Sequence, residues 1–196
     1  MEEVMSVLIG IALSATCGFR VFVPLLAVNI GTRAQNVDGE PLIELAAGFD
    51  WLSSDIAMMV FLVATLFEIG GYYIPWIDNL LDTVASPAAI VAGTVITASF
   101  ITGMDPWLQW LLGLIAGGSA AGAVQATTVV TRASSTVTTG GLGNPIVASV
   151  ETSGAFLGSA LAILAAPFAI AVFVLLLGCG GWIWWRRRRH KLAEAA

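Results

Sequence analysis

A long apolar segment, residues 146–185, contains a single charged residue, Glu151. A helix that crosses a bilayer needs about 20 predominantly apolar residues, so this segment is long enough to cross a membrane. The pattern predicts an all-α membrane protein with about five transmembrane helices, in a range of roughly four to six. The four other predicted spans precede this segment, at about 4–30, 55–74, 88–102 and 107–130.

The composition supports the same class. Of the 196 residues, 58% are hydrophobic and 11% are charged. A soluble domain averages roughly 45–50% apolar residues, even with glycine counted, and about 25% charged residues. Because a soluble domain must also cover its own surface, a chain of this size is unable to hide so much apolar area. An ordinary soluble enzyme, a nucleic-acid-binding protein and a disordered chain are therefore excluded.

The chain is predicted to form one membrane domain, residues 1–185, and a short tail, residues 186–196. A straight helix over residues 146–185 would be about 60 Å long, which is twice the thickness of the bilayer core. Pro167 lies near its middle, and no turn sequence interrupts it. We therefore expect a long C-terminal helix that is kinked at Pro167.

The tail predicts an orientation in the membrane. It contains most of the basic residues of the chain, namely Arg186, Arg187, Arg188, Arg189 and Lys191. A basic cluster beside an apolar segment marks the cytoplasmic side, and it also suits contact with anionic lipid headgroups. The expected location is the inner (cytoplasmic) membrane, with the C-terminus in the cytoplasm. An odd number of spans then places the N-terminus outside.

Two stretches of the chain, about residues 56–103 and 107–166, resemble each other as helix–break–helix units. Within them Asp82-Thr83-Val84 aligns with Ser135-Thr136-Val137, and Pro87 aligns with Pro145. Chance similarity among small residues is one explanation of this match. An internal repeat is the other, and it bears on function because paired broken helices in membrane proteins often form a binding site.

Ionisable residues inside apolar spans are the second functional signal. A charge near the bilayer centre costs about 2.5–3.5 kcal/mol on insertion scales, so such residues must face the protein interior, pair or reach the surface. If each cation pairs with one carboxylate, two carboxylates are left over and are able to carry protons. Six residues belong to this group: Arg20, Glu68, Asp78, Asp82, Arg132 and Glu151.

Structural roles are open for several of these residues. Glu68 is also explained by a hydrogen bond to Tyr72 or to a neighbouring threonine, and Asp78 by an N-cap. Glu151 also suits the membrane interface. With the polar residues of the two breaks included, the candidate ion or solute pathway comprises Arg20, Glu68, Asp78, Asp82, Thr83, Arg132, Ser135, Thr136, Asn144 and Glu151.

The sequence offers little for catalysis. The single histidine, His190, lies in the basic tail, and Cys17 and Cys179 lie in separate apolar segments. No metal-ligand spacing and no phosphate-binding loop are present in the sequence. We therefore predict no catalytic residue, no metal site and no cofactor. An intramembrane enzyme would have only carboxylates and arginines for its chemistry.

The chain resembles the domain of unknown function 4126 family, which consists of uncharacterised bacterial integral membrane proteins. The resemblance covers about residues 4–185 and departs at Gly70-Gly71-Tyr72-Tyr73, where a more polar pattern is expected. It implies the fold and the choice of site residues, but no reaction. It rests on CGFRVFVPLL (Cys17–Leu26), EIGGYYIPWIDNLLDT (Glu68–Thr83), Pro87, Gly93, ATTVVTRASSTVTTGGLGNP (Ala126–Pro145) and Glu151.

Three functions follow from these features. A small transporter or channel for an ion or small solute predicts a wet cavity that reaches Asp82 and Arg132. A non-catalytic scaffold, or a subunit of a larger membrane complex, predicts a dry core with the charges paired directly. A lipid-acting enzyme predicts a lateral opening beside the carboxylates.

The expected partners are the lipid bilayer and a small solute or ion, and no nucleic acid. A homo-oligomer is also expected from small-residue helix faces, which allow helices to approach closely in lipid. The two faces are the GxxxG pairs Gly113/Gly117 and Gly118/Gly122.

Overall fold

The computed structural model describes residues 2–74 and 77–164, and within these ranges the chain is built from helices. The predicted kink at Pro167 and the tail, residues 186–196, lie outside the described residues. The helices are α1 (Glu2–Cys17), α2 (Phe22–Arg33), α3 (Asp55–Gly71), α4 (Ile77–Ser99), α5 (Pro106–Leu112), α6 (Ser119–Thr139) and α7 (Asn144–Leu164).

Three helical stretches in the described part are long and apolar enough to cross a membrane: Leu80–Ser99, Pro106–Thr139 and Asn144–Leu164. The stretch Pro106–Thr139 is one continuous helix, because a π-helical segment, Gly113–Gly118, joins α5 to α6. The predicted all-helical membrane class is confirmed. The prediction of about five spans is roughly consistent with these helices.

The first apolar segment differs from a simple crossing, because α1 and α2 form a helical hairpin. Helix α1 runs antiparallel to α7, since Thr16 contacts Ser159 while Arg20 reaches back to Ala148. Helix α2 then returns, and Asn29 near its end donates to the carbonyl of Leu52 just before α3. The chain reverses at residues 18–21, a segment that we call the hairpin tip.

The hairpin tip is buried between α6 and α7. A Cβ added to Gly18 would lie 2.5 Å from the carbonyl oxygen of Ala121 and 2.5 Å from Cβ of Val124, so only glycine permits this approach to α6. Thr128 of α6 donates to the carbonyl of Gly18 at 3.4 Å. The break in the first apolar segment is thus fixed by contacts with helices from the second half of the chain.

The glycine-rich stretch of α5 and α6 packs against α4 of the same chain. Gly117 faces the backbone of Gly93, and Gly113 faces the carbonyl of Thr94. Ser14 of α1 joins this contact by donating to the carbonyl of Gly93 at 2.7 Å. The GxxxG pattern therefore serves packing within the chain, and a homo-oligomer stays a prediction.

The chain also contains two helix–link–helix units: α3 with α4, and the long helix α5–α6 with α7. The motifs that align in sequence occupy different places in these units. Asp82 lies inside α4, after its link, whereas Ser135 lies inside α6, before its link. Helix α4 continues through Pro87 without a break. The expected break between Asp82 and Pro87 instead lies earlier, between the end of α3 and the start of α4.

Candidate functional site

A network of four charged side chains lies against the hairpin tip. Arg20 of the tip donates from Nη1 to Oε2 of Glu151 at 3.0 Å, and Arg132 of α6 donates from Nη2 to the same oxygen. Nη1 of Arg132 lies 3.5 Å from Oδ1 of Asp82 on α4. Both arginines are almost wholly buried, with 1% and 2% of their surface exposed. Four separate elements therefore bring two cations and two anions into direct contact, and we call these residues the ion-pair network.

The two arginines differ in how fully they are bonded. Arg20 also donates to the carbonyls of Ala148 and Phe19, at 3.0 and 2.8 Å, and to the hydroxyl of Thr152. Nε and Nη1 of Arg132 and Oε1 of Glu151 are buried and have no hydrogen-bond partner among the described residues. The network thus keeps two donor nitrogens and one acceptor oxygen that are able to bind a polar group.

Tyr72 completes the network, and it was not among the predicted site residues. Its ring centroid lies 4.1 Å from the guanidinium carbon of Arg20 and 4.0 Å from that of Arg132. Its hydroxyl donates to Oδ1 of Asp82 at 3.2 Å. An aromatic ring attracts cations through its face, so Tyr72 stabilises both guanidinium groups away from water. In the sequence Tyr72 was considered only as a hydrogen-bond partner of Glu68 and as part of the segment Gly70-Gly71-Tyr72-Tyr73, where the resemblance departs.

Glu68 binds the hairpin tip from α3. Its Oε1 accepts the backbone N–H of Val21 at 2.7 Å, and its Oε2 accepts that of Phe22 at 3.0 Å. The first N–H groups of a helix lack partners within the helix and favour a negative charge, so Glu68 acts as a cap for α2. Within the described residues Glu68 forms no ion pair.

A second polar cluster joins the starts of α4 and α7. Nδ2 of Asn144 donates to Oδ2 of Asp78 at 2.7 Å and to the hydroxyl of Thr136 at 3.0 Å. Asp78 and Asn144 are both buried. Of the other predicted site residues, Thr83 has an exposed side chain on α4, and Ser135 is half-buried on α6. Of the ten predicted residues, four therefore form the ion-pair network and three form this second cluster, while Glu68 binds the hairpin tip.

A cleft lies beside Glu68, between α3 and α4. Its volume is about 280 Å³, and its lining is mostly apolar, with Glu68 and Tyr72 at its inner wall. At its rim the side chains of Phe67 and Val84 are exposed on the outer surface of the helix bundle. The cleft therefore opens on the exposed surface of the bundle and reaches a carboxylate, Glu68.

The described residues contain no group of three or more histidine, cysteine, aspartate or glutamate side chains arranged to hold a metal ion. The candidate site instead consists of buried ion pairs, helix ends and one aromatic ring. Such groups bind and orient polar ligands.

Comparison with curated proteins gives no significant match, and comparison with solved structures gives none either. The profile of one family, described as a domain of unknown function (DUF4126), matches residues 7–186. This range contains the hairpin tip, the ion-pair network, the second polar cluster and the cleft. The chain belongs to the DUF4126 family.

Proposed function

We propose that this protein is a small membrane transporter or channel for an ion or small polar solute, and that the ion-pair network is its binding site. One observation carries the proposal: the hairpin tip ends inside the bundle and places Arg20 on Glu151, beside Arg132. A reversal of the backbone within a membrane domain is tolerated only where protein covers it or where it lines a cavity.

The helix ends at the tip add to this argument. The last carbonyls of α1 and the first N–H groups of α2 meet at residues 18–21, next to the network. Broken helices in transporters place binding residues at such ends. Here Glu68 accepts the N–H groups of Val21 and Phe22, so it is the polar group that this helix end holds beside the network. Nε and Nη1 of Arg132 and Oε1 of Glu151, which form no hydrogen bond among the described residues, offer two donors and one acceptor to a ligand.

Asp82 marks the accessible side of the network. Its side chain is 12% exposed, compared with 5% or less for Arg20, Arg132 and Glu151. Because charges inside a membrane domain are costly, four of them in one place favour a functional role over packing alone. A ligand would reach the network past Asp82, its most exposed member.

The test is the flux of ions and protons across liposomes that contain the purified protein. Asp82→Asn removes one charge of the network and is expected to abolish flux. Asp55→Asn is the matched control, because Asp55 forms a surface ion pair with Arg33 at 2.7 Å and is 90% exposed. Flux should survive this second substitution. Equal flux in wild type and Asp82→Asn would refute the proposed pathway.

A non-catalytic scaffold, or a subunit of a larger membrane complex, is the second candidate. The observation in its favour is the direct pairing of Arg20 and Arg132 with Glu151 and Asp82, as in a packed core. Such pairs can fix how helices assemble without binding a ligand. Intact protein that conducts nothing under any gradient would support this function. The next step would then be to identify the proteins that co-purify with it.

The proposed location is the inner membrane, with the C-terminus in the cytoplasm and the N-terminus outside. The support is the basic tail, Arg186–Arg189 with Lys191, next to an apolar segment. Labelling of a single introduced cysteine with a membrane-impermeant reagent in intact cells tests this orientation. Glu3→Cys should react and Ala196→Cys should not, after both native cysteines are replaced by serine.

A further inference from the structure

We propose that the cleft between α3 and α4 binds a small amphiphilic cation, with its apolar part in the cleft and its positive head at Glu68. This site lies beside the ion-pair network, and its occupation does not require transport. The proposal therefore goes beyond the function proposed above and stands or falls separately from it.

The shape of the cleft sets the size of the ligand. Ligand sites are typically about 300–1,000 Å³ and mostly apolar, with a few polar groups that fix orientation. The cleft, at about 280 Å³, lies just below that range and is lined largely by apolar residues, among them Phe22, Leu81 and Ala88. It therefore suits a compact body smaller than a drug-sized molecule and is too small for a lipid with two acyl chains.

The charge of Glu68 sets the sign of the ligand. Each of its oxygens accepts one backbone N–H, although a carboxylate has about four acceptor positions. No described basic side chain forms an ion pair with it. The partial positive charge of a helix N-terminus, about half an elementary charge, compensates only part of a carboxylate. A cation in the cleft would supply the rest.

The neighbouring arginines attract Glu68 but do not neutralise it. Arg20 and Arg132 are the nearest described cations, and both are bound to Glu151, with Arg132 also close to Asp82. The network by itself has two positive and two negative charges, so adding Glu68 gives a net charge of minus one. An uncompensated charge inside a membrane domain is costly, and a bound cation would remove that cost.

We expect the cleft to bind a free cation and not the headgroup of a lipid. A zwitterionic headgroup would bring its phosphate close to Glu68, where like charges repel. The exposed rim residues, Phe67 and Val84, allow a free amphiphile to arrive from the bilayer. Its apolar part would replace lipid against these side chains, and its head would reach the inner wall.

The test uses benzyltrimethylammonium, which has a permanent positive charge and one aromatic ring. Its binding to the full chain in lipid nanodiscs is measured by isothermal titration calorimetry, with empty nanodiscs as the blank. Phenylmethanesulfonate, similar in size and opposite in charge, is the matched probe. We expect the cation to bind at least about tenfold more tightly than the anion, a difference that calorimetry resolves.

Two substitutions locate the site. Glu68→Gln removes the charge and should weaken binding of benzyltrimethylammonium at least about tenfold. Because Glu68 also caps α2, Ala88→Phe is a second variant, which fills the cleft and leaves every charge in place. Ala88→Phe should also weaken binding of benzyltrimethylammonium at least about tenfold. Ala160→Phe is its control, because Ala160 lines a separate apolar crevice between α2 and α7.

Three results would overturn the proposal: no binding to the wild type, equal binding of the anion, or equal binding to Ala88→Phe and Ala160→Phe. Calorimetry requires no gradient, so its outcome is independent of the flux experiment. Binding without flux would refute transport and keep the cleft site, whereas flux without binding would do the reverse.

Discussion

Arg20 and Arg132, which come from the two halves of the chain, bind the same oxygen of Glu151. Glu151→Gln keeps the size of this side chain and removes its charge. Two buried guanidinium groups would then share only one remaining carboxylate of the network, Asp82. Breaking a buried pair in this way costs about 3–5 kcal/mol. We expect a loss of that size, measured by unfolding of the protein in a mild detergent.

The surface ion pair between Arg33 and Asp55 provides the comparison for this prediction. Asp55→Asn removes one partner of the exposed pair Arg33–Asp55 and leaves the hydrogen bonds from Arg33 to Asn29 and Ser53 in place. Exposed pairs contribute about 0–1 kcal/mol, because water and salt screen them. Equal losses for Glu151→Gln and Asp55→Asn would show that the network contributes no more than a surface pair.

Gly18→Ala tests the packing of the hairpin tip against α6. The new Cβ would lie 2.5 Å from the carbonyl oxygen of Ala121 and 2.6 Å from the backbone nitrogen of Gln125, and backbone atoms have little room to move. Overpacking of this kind costs typically about 1–3 kcal/mol. The same unfolding measurement should show this loss, together with reduced flux if the tip forms part of the pathway.

Gly70→Ala is the matched control for the tip. Gly70 lies in α3, and a Cβ added there meets no atom within 4 Å. Alanine is favoured over glycine inside a helix by roughly 0.5–1 kcal/mol, so this variant should be as stable as the wild type or more stable. A loss at Gly70 as large as that at Gly18 would contradict the contact with α6 as the cause.

The charged site residues could be identified from the sequence because a charge inside an apolar segment is costly anywhere in a membrane domain. That argument finds Arg20, Asp82, Arg132 and Glu151 but does not say which of them pair. Tyr72 was missed because an aromatic residue near the end of a span is also typical of the membrane interface. Its role depends on two guanidinium groups that the fold brings to it.

The hairpin of α1 and α2 could not be predicted from the sequence either, and the reason is similar. Residues 4–30 are long and apolar enough for one tilted crossing, and composition does not distinguish a crossing from a reversal. Whether the segment crosses or reverses depends on contacts between residues that are distant in sequence, such as Glu68 with Val21 and Thr128 with Gly18. Pro87 led to the opposite error: a break was predicted before it, but α4 continues through Pro87 without a break.

Tyr72 offers a prediction that separates its two contacts. Tyr72→Phe removes the hydroxyl that binds Asp82 and keeps the ring on both arginines. Tyr72→Leu removes both contacts. A hydrogen bond to a charged group contributes about 1.5–3 kcal/mol, and a cation–π contact with a desolvated guanidinium about 2 kcal/mol. Tyr72→Leu should therefore be less stable than Tyr72→Phe in detergent unfolding, by at least about 2 kcal/mol.

Tyr73→Phe is the control for this series, because the hydroxyl of Tyr73 contacts Ser149 at an exposed position. It should change stability by less than about 1 kcal/mol, since surface substitutions typically have small effects. If Tyr72→Phe and Tyr72→Leu unfolded alike, the ring would have no role in holding the arginines.

Ser54→Ala separates the stability of α3 from the function of its far end. The hydroxyl of Ser54 accepts the backbone N–H of Ala57 at 3.1 Å and so caps the first turn of α3, whereas Glu68 lies near the last turn. Loss of such a cap costs about 1 kcal/mol. Ser53→Ala, one residue earlier, removes only a hydroxyl bonded to the carbonyl of Asp50, so it should cost less.

Because neither change touches Glu68, both variants should bind benzyltrimethylammonium as the wild type does. Weaker binding in Ser54→Ala alone would mean that the cleft depends on the whole of α3 and not on the local contacts of Glu68.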